Sequence, residues 1–335
     1  MRNLTAAAIA LCAALIAAPA RAQERVDFLL NWIPGGDHAP FYYGLSKGWY
    51  KDAGIDLQIE PGKGSNATIQ RVGSGKTPLG ISDMATALVA RGQGSQAVAV
   101  FAIYENSPYG IYWLKSSGIK SAKDFPGRSI GNPPGDAARV MWPVFAKSVG
   151  IAPDSVKWVN ITAQGKVAAL QSGAVDLITD FYNGHDLKVD TFGANLGYMA
   201  FREAGLNPYG NSILVNADYL ASHRDTVARF VKVTQRAYLA CVKNGRPCIE
   251  ALVAASSGQV LKVQLDQWQR VKELMNDDYA RTFALGAFDP KRMEADYDLI
   301  EKYFKLDKPY DVKAAYTNGL LDQSIKMPEV KQASH

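Results

Sequence analysis

Val26-Asp-Phe-Leu-Leu-Asn31, followed by Trp32-Ile-Pro-Gly-Gly-Asp37, decides the fold. The first six residues make a short, mostly apolar strand, and the Pro and Gly punctuation of the next six makes a loop. A helix is expected at once: Asp37 is placed to cap it, Pro40 suits its first turn, and Gly54 ends it after Lys51-Asp-Ala. Ile55-Asp-Leu-Gln-Ile-Glu60 then alternates apolar and polar residues as a second strand, closed by Pro61-Gly-Lys-Gly64. Strand, helix and strand in that order specify a parallel or mixed α/β sheet.

Working outward, Ser65 is placed to cap a helix over Asn66 to Val72, and Pro78-Leu-Gly-Ile-Ser82 reads as a short buried strand. Asp83 to Thr86 lead into another helix, and Val98 to Tyr104 form a fourth strand. Near Ile111-Tyr-Trp-Leu-Lys115 the chain is expected to change lobe. A second series follows: strand Ser129 to Gly131, helix Ala137 to Val149, strand Val156 to Asn160, helix Lys166 to Gln171 and strand Val175 to Thr179. Ser212-Ile-Leu-Val215 carries the chain back, and Val227, Phe230, Val231, Thr234 and Tyr238 then recur at helical spacing. The expected division is therefore lobe 1 from 23–114 plus 210–335 and lobe 2 from 115–209, with two crossings as a hinge.

Upstream of Val26, Arg2 precedes an apolar run from Leu4 to Ala18, then Pro19 and the small-x-small triplet Ala20-Arg21-Ala22. That is the layout of a secretory signal peptide over 1–22, cleaved after Ala22. The run is shorter than the roughly 20 residues a membrane helix needs, so a soluble, periplasmic product is expected. Cys12 lies within this run; Cys241 and Cys248 flank Asn244-Gly245, and in an oxidising compartment a disulfide between them fits, the alternative being two free buried thiols. The formal charge of +5 falls by two, to +3, without Arg2 and Arg21. Basic and acidic residues are interspersed, so nothing demands nucleic acid. A chain of 335 residues exceeds what one core usually holds.

In open α/β sheets, ligands sit beyond the carboxyl ends of the strands. Here that rule selects aromatic and small hydrogen-bonding residues: Trp32, His38, Tyr42, Tyr104, Tyr109 and Tyr182, with Ser65, Asn66 and Asn183 among them. Aromatic faces sandwich a flat ring while amides and hydroxyls read its edge. Core packing is the competing explanation for each aromatic, and capping or a local hydrogen bond for His38 beside Asp37. Asp83, Asp136 and Asp180 read as acceptors or helix caps. Lys63, in Gly62-Lys-Gly-Ser65, lacks the spacing of a P-loop but could hold an anion at a helix start. No His or Cys pattern suggests a metal or a cofactor, and no nucleophile elbow or spaced carboxylate pair suggests catalysis.

Asn31-Trp-Ile-Pro-Gly-Gly-Asp-His-Ala-Pro-Phe-Tyr-Tyr43, Lys47-Gly-Trp-Tyr-Lys-Asp-Ala-Gly-Ile-Asp-Leu57, Gly80-Ile-Ser-Asp83 and Ile119-Lys-Ser-Ala-Lys-Asp-Phe-Pro-Gly127 resemble the periplasmic binding proteins of the sulfonate, nitrate and thiamine-pyrimidine (NMT1/THI-like) group. The resemblance implies an α/β, two-lobed type II binding-protein fold that closes on a small ligand and docks on the permease and ATPase of an ABC importer; a monomer suits such a diffusing receptor. Trp32, Pro34, Asp37, His38 and Ala39 look most like the branch that binds aminopyrimidine precursors of thiamine. In that branch Trp32 would stack on the pyrimidine, while Asp83, Asp180 and Asn183 would read its edge. The alternative ligand is a sulfonate or aromatic carboxylate held by Lys63, Ser65 and Thr86 with Arg139. The pyrimidine synthases resembling this group use a cysteine-rich segment that this sequence lacks, so capture is expected instead of catalysis.

Overall fold

The computed structural model describes residues 23–330; the expected signal peptide and Cys12 lie outside the described residues. Among the described residues ten strands form two five-stranded sheets. β1 (Glu24–Leu29), β2 (Ile55–Glu60), β3 (Leu79–Asp83) and β4 (Ala97–Ala102) belong to the first. The second holds β5 (Tyr109–Leu114), β6 (Ser129–Gly131), β7 (Lys157–Val159), β8 (Leu177–Phe181) and β9 (Leu196–Ala200). β10 (Asn211–Asn216) returns to the first sheet.

The strand orders are β2-β1-β3-β10-β4 and β7-β6-β8-β5-β9. Each sheet is parallel except for the strand that arrives from the other. β5 lies antiparallel to β8 and β9, and β10 antiparallel to β3 and β4. The parallel strands are joined through helices that cover the sheet faces, which is why Val26, Phe28, Leu79 and Ile81 are buried. Phe28, Phe41, Phe230 and Tyr238 make an aromatic cluster under the first sheet, and Trp113, Phe125, Trp142 and Phe145 another in the second.

Local expectations needed four corrections. The chain crosses between Ala102 and Tyr109, so Ile111 to Leu114, expected to end lobe 1, pair in the second sheet instead. Asn106-Ser-Pro108 is the punctuation that marks this crossing. Asp37 does not cap the first helix; His38 stands at that position, and the Asp37 side chain turns inward. The expected first helix is split into Ala39–Ser46 and Trp49–Asp52 by Gly48, whose φ of 70° a side chain would disfavour. Ser65 does not cap its helix either: Gly64 holds that place, and the Ser65 hydroxyl accepts from the Asp83 N–H at 3.1 Å. By contrast, Asp83 and Asp136 both cap, through Thr86 N and Ala138 N.

Cys241 ends one helix (Arg224–Lys243) and Cys248 lies in the next (Gly245–Ala255); a disulfide joins them, with Cα atoms 5.8 Å apart. The Asn244-Gly245 pair is thus the corner between two helices. Replacing both cysteines by alanine should cost about 2–3 kcal/mol, the loop-closure value for so short a loop. Urea unfolding checks this, and a loss below about 1 kcal/mol contradicts it.

The two crossings run side by side and are clamped by helix Pro290–Tyr303. Arg292 donates to the Glu105 and Asn207 carbonyls, and Asp296 Oδ2 accepts from the Tyr209 N–H at 2.9 Å. Burial pushes the Asp296 carboxyl up to about 7, against the Tyr209 N–H and Arg292, which favour its ionised form; nearby Asp83 raises it further. A carboxyl raised in the folded state contributes stability that is complete below its unfolded value, near 4, and is lost as pH rises through about 7. Relative to Asp296→Asn, the wild type should therefore gain about 2–3 kcal/mol between pH 8 and pH 5. Denaturation of both proteins at the two pH values tests this; parallel behaviour refutes it.

Candidate functional site

The carboxyl ends of the parallel strands in both sheets open on one cleft of about 220 Å³. That is smaller than the roughly 300–1,000 Å³ of sites for drug-sized ligands, so it suits a single substituted ring. The loop after β1 supplies Asn31, Trp32, Asp37 and His38 from one side. Asp136, Lys166, Asp180, Asn183 and Lys188 face them from the second sheet.

On the first-sheet side, the polar groups form a hydrogen-bond chain with one direction. The Gly35 N–H donates to His38 Nδ1 at 3.1 Å, so the ring proton sits on Nε2 and is donated to Asn31 Oδ1 at 3.1 Å. Asn31 Nδ2 then donates to Asn211 Oδ1 (3.0 Å), and Asn211 Nδ2 to Asp37 Oδ2 (3.1 Å). Burial lowers the His38 pKa, outweighing the raising effect of Asp37, so the imidazole is neutral. His38 therefore serves as a positioning group, and its fixed tautomer sets both asparagine amides.

On the opposite side, four charges, three buried and Asp180 half-buried, compensate one another. Lys166 Nζ lies 2.7 Å from Asp136 and 3.5 Å from Asp180, while Lys188 Nζ lies 2.6 Å from Asp180 and donates to the Gly184 carbonyl. Burial alone would raise the Asp180 pKa, but the two ammonium groups hold it down at about 2. Burial opposes the charge on Lys166 too, yet its carboxylates win and its pKa rises; Lys188, repelled by Lys166, is lowered mainly by burial. Lys166 also stands 4.9 Å from the ring centroid of Trp32, which remains partly exposed to the cleft. With Asp37 included, two cations and three carboxylates line the site, a formal balance of −1.

The two sides are in contact around the cleft. Asn66 N donates to the Gly135 carbonyl at 3.2 Å, where a Cβ on Gly64 would come within 2.4 Å of the same oxygen. Across the mouth, helix Leu261–Leu274 sends Arg270 to Asp186 (2.8 Å) and Lys262 to Asp190 (3.1 Å), both on helix His185–Phe192. This is a closed arrangement.

Of the residues expected at the site, Trp32, His38, Ser65, Asp136, Asp180 and Asn183 line the cleft. The remainder do not. Tyr42 packs against the first core and Lys63 is exposed. Asn66 lies off the cleft lining, and its backbone N–H makes the bridge to Gly135. Tyr104 and Tyr109 are fully buried, and the Tyr109 hydroxyl donates to Asp83 at 2.5 Å. Asp83 is buried with them, off the cleft lining, its Oδ1 accepting from Thr86 and Tyr109. Tyr182 accepts from Arg270 outside the cleft lining. Arg139 is bound to Asn160 and lies over the Trp158 ring, and Thr86 donates to Asp83, so neither reaches a ligand with Lys63.

Sequence reasoning missed Lys166, Lys188, Asn211, Gln264 and Gln267, all of which line the cleft. Asn211 starts an antiparallel strand, so its amino end faces the site, which a rule about carboxyl ends does not see. Lys166 is the first residue of the helix Lys166–Gln171, and that position was the available signal. The glutamines sit on a helix far along the chain, with no local mark.

Among curated proteins, the chain is 24% identical over 307 residues to a Legionella pneumophila 4-amino-5-hydroxymethyl-2-methylpyrimidine phosphate synthase, covering 89% of this chain and 93% of that one. It is 23% identical over 249 residues to the formylaminopyrimidine-binding protein of Halalkalibacterium halodurans, covering 73% and 74%. Among solved structures, the alkanesulfonate-binding protein SsuA from Xanthomonas axonopodis pv. citri, bound to MOPS, superposes with a TM-score of 0.67 at 14% identity, covering 88% of this chain and 98% of that one. The fold is thus that of the periplasmic binding proteins. Residues 36–247, well over half of the chain, match the family model described as NMT1/THI5 like, and the chain belongs to that family.

Proposed function

We propose that this protein captures a small, flat, polar molecule in the periplasm and delivers it, as a monomer, to the permease and ATPase of an ABC importer, with an aminopyrimidine precursor of thiamine as the leading ligand. One observation carries the choice of ligand: both lysines in the cleft are already paired with carboxylates, leaving a negative balance beside an aromatic face and oriented amides. Such a site favours a neutral or weakly basic ring with N–H donors over an anion. The formylaminopyrimidine-binding relative supports the same class.

Calorimetric titration with 4-amino-5-hydroxymethyl-2-methylpyrimidine, its N-formylamino counterpart and a series of alkanesulfonates tests the reading. At a hundredfold excess over Kd, the bound pyrimidine should stabilise the fold by about 2.7 kcal/mol. Stabilisation by sulfonates alone overturns the ligand assignment. Lys63→Ala should leave pyrimidine affinity unchanged within about twofold, since its side chain is exposed and off the cleft. Loss of labelled pyrimidine uptake on deleting the gene tests the importer role.

A second reading is catalysis, which the synthase relatives suggest and which buried Lys188, with its lowered pKa, could serve as a base. Ligand recovered chemically unchanged after prolonged incubation and denaturation counts against it.

A further inference from the structure

We propose that Gln264 is the specificity-determining residue of the cleft, its Oε1 accepting an N–H from the edge of the bound ring. The inference rests on the capture reading above. Gln264 lies on helix Leu261–Leu274, is 5% exposed and lines the cleft.

Its orientation follows from a relay with a single sense. The Pro34 carbonyl can only accept, so Gln259 presents Nε2 to it at 3.0 Å. Gln259 Oε1 is thereby turned towards Gln264 and accepts from its Nε2 at 2.8 Å. Gln264 Oε1 is left as a buried acceptor with no hydrogen-bond partner among the described residues. Flipping either amide would bring oxygen against oxygen or nitrogen against nitrogen. Gln267, one helical turn away, has its own oxygen occupied by the Gly36 N–H at 3.0 Å.

A buried carbonyl without a partner is costly, so a ligand that supplies the missing donor gains what one lacking it forgoes. The same helix carries Arg270 and Lys262 to Asp186 and Asp190, so the acceptor arrives in place when the mouth is closed. The ligand is then a ring with an exocyclic amine or ring N–H on the side facing this helix.

The test is a double-mutant cycle by calorimetry, with 4-amino-5-hydroxymethyl-2-methylpyrimidine and its analogue lacking the 4-amino group. Wild type should prefer the amino compound by about 10–100-fold, and Gln264→Leu should reduce that preference to below about threefold. Gln264→Met keeps the side-chain length without an acceptor and should lose the preference in the same way; circular dichroism confirms that both variants fold. Equal losses for the two compounds in Gln264→Leu, or an unchanged preference, overturn the inference while leaving capture standing. Binding of neither compound by the wild type overturns the pyrimidine assignment and this inference together.

Discussion

Lys166→Met will destabilise the folded protein by about 3–5 kcal/mol at pH 8, the scale expected when one member of a buried ion-pair group is removed. The Lys166 side chain is only 3% exposed, and its ammonium neutralises Asp136 at 2.7 Å and Asp180 at 3.5 Å. Without it, Asp136 keeps only its cap to Ala138, and Asp180 is left with Lys188 and the Phe181 N–H. Methionine fills much of the volume, so the loss reports charge more than cavity. Without Lys166 the carboxyls take up protons more readily in the folded state. The variant should therefore regain stability relative to wild type as pH falls from 8 to 5. Lys166→Met/Asp136→Asn should recover part of the loss at pH 8, because one stranded carboxylate is gone. Urea unfolding of the three proteins measures this, and a single-variant loss under about 1 kcal/mol shows that the group is not a coupled unit.

The same four residues show what the sequence made legible. Asp136 and Asp180 stand near strand ends and were within reach of a positional rule, and the helix cap by Asp136 follows from local sequence. Their partners were not. Lys166 and Lys188 look like ordinary helix-surface lysines in one dimension. Only the packing of β8 between β5 and β6 brings the starts of their helices over the cleft.

The alternation of strand and helix from Val26 to Glu60 depends on nearest-neighbour periodicity and was readable directly. Where the chain changes sheet is a matter of tertiary pairing, and the run Tyr109 to Leu114 has the same apolar pattern whichever sheet it joins. The aromatics divide for a similar reason. Trp32 sits in a Pro and Gly loop that cannot bury it completely, whereas Tyr104 and Tyr109 occupy apolar segments whose burial takes the whole ring.

Trp32→Ala will weaken ligand binding by about 10–100-fold, the loss that goes with removing one aromatic face from a stacked base, roughly 1–3 kcal/mol. Trp32 is partly exposed at the end of the β1 loop and contributes little to either core, so the fold should tolerate the change. Lys166, 4.9 Å from the indole centroid, remains bound to Asp136 whether or not the ring is there, which separates this variant from the stability effect of Lys166→Met. Trp32→Phe keeps a face of smaller area and should recover affinity to within about tenfold of wild type. Calorimetry with 4-amino-5-hydroxymethyl-2-methylpyrimidine at matched stability reads the effect directly. An alanine variant that binds within threefold of wild type would place the ring elsewhere, against Phe181 on the opposite wall of the cleft, and the first-sheet loop would then contribute only its oriented amides.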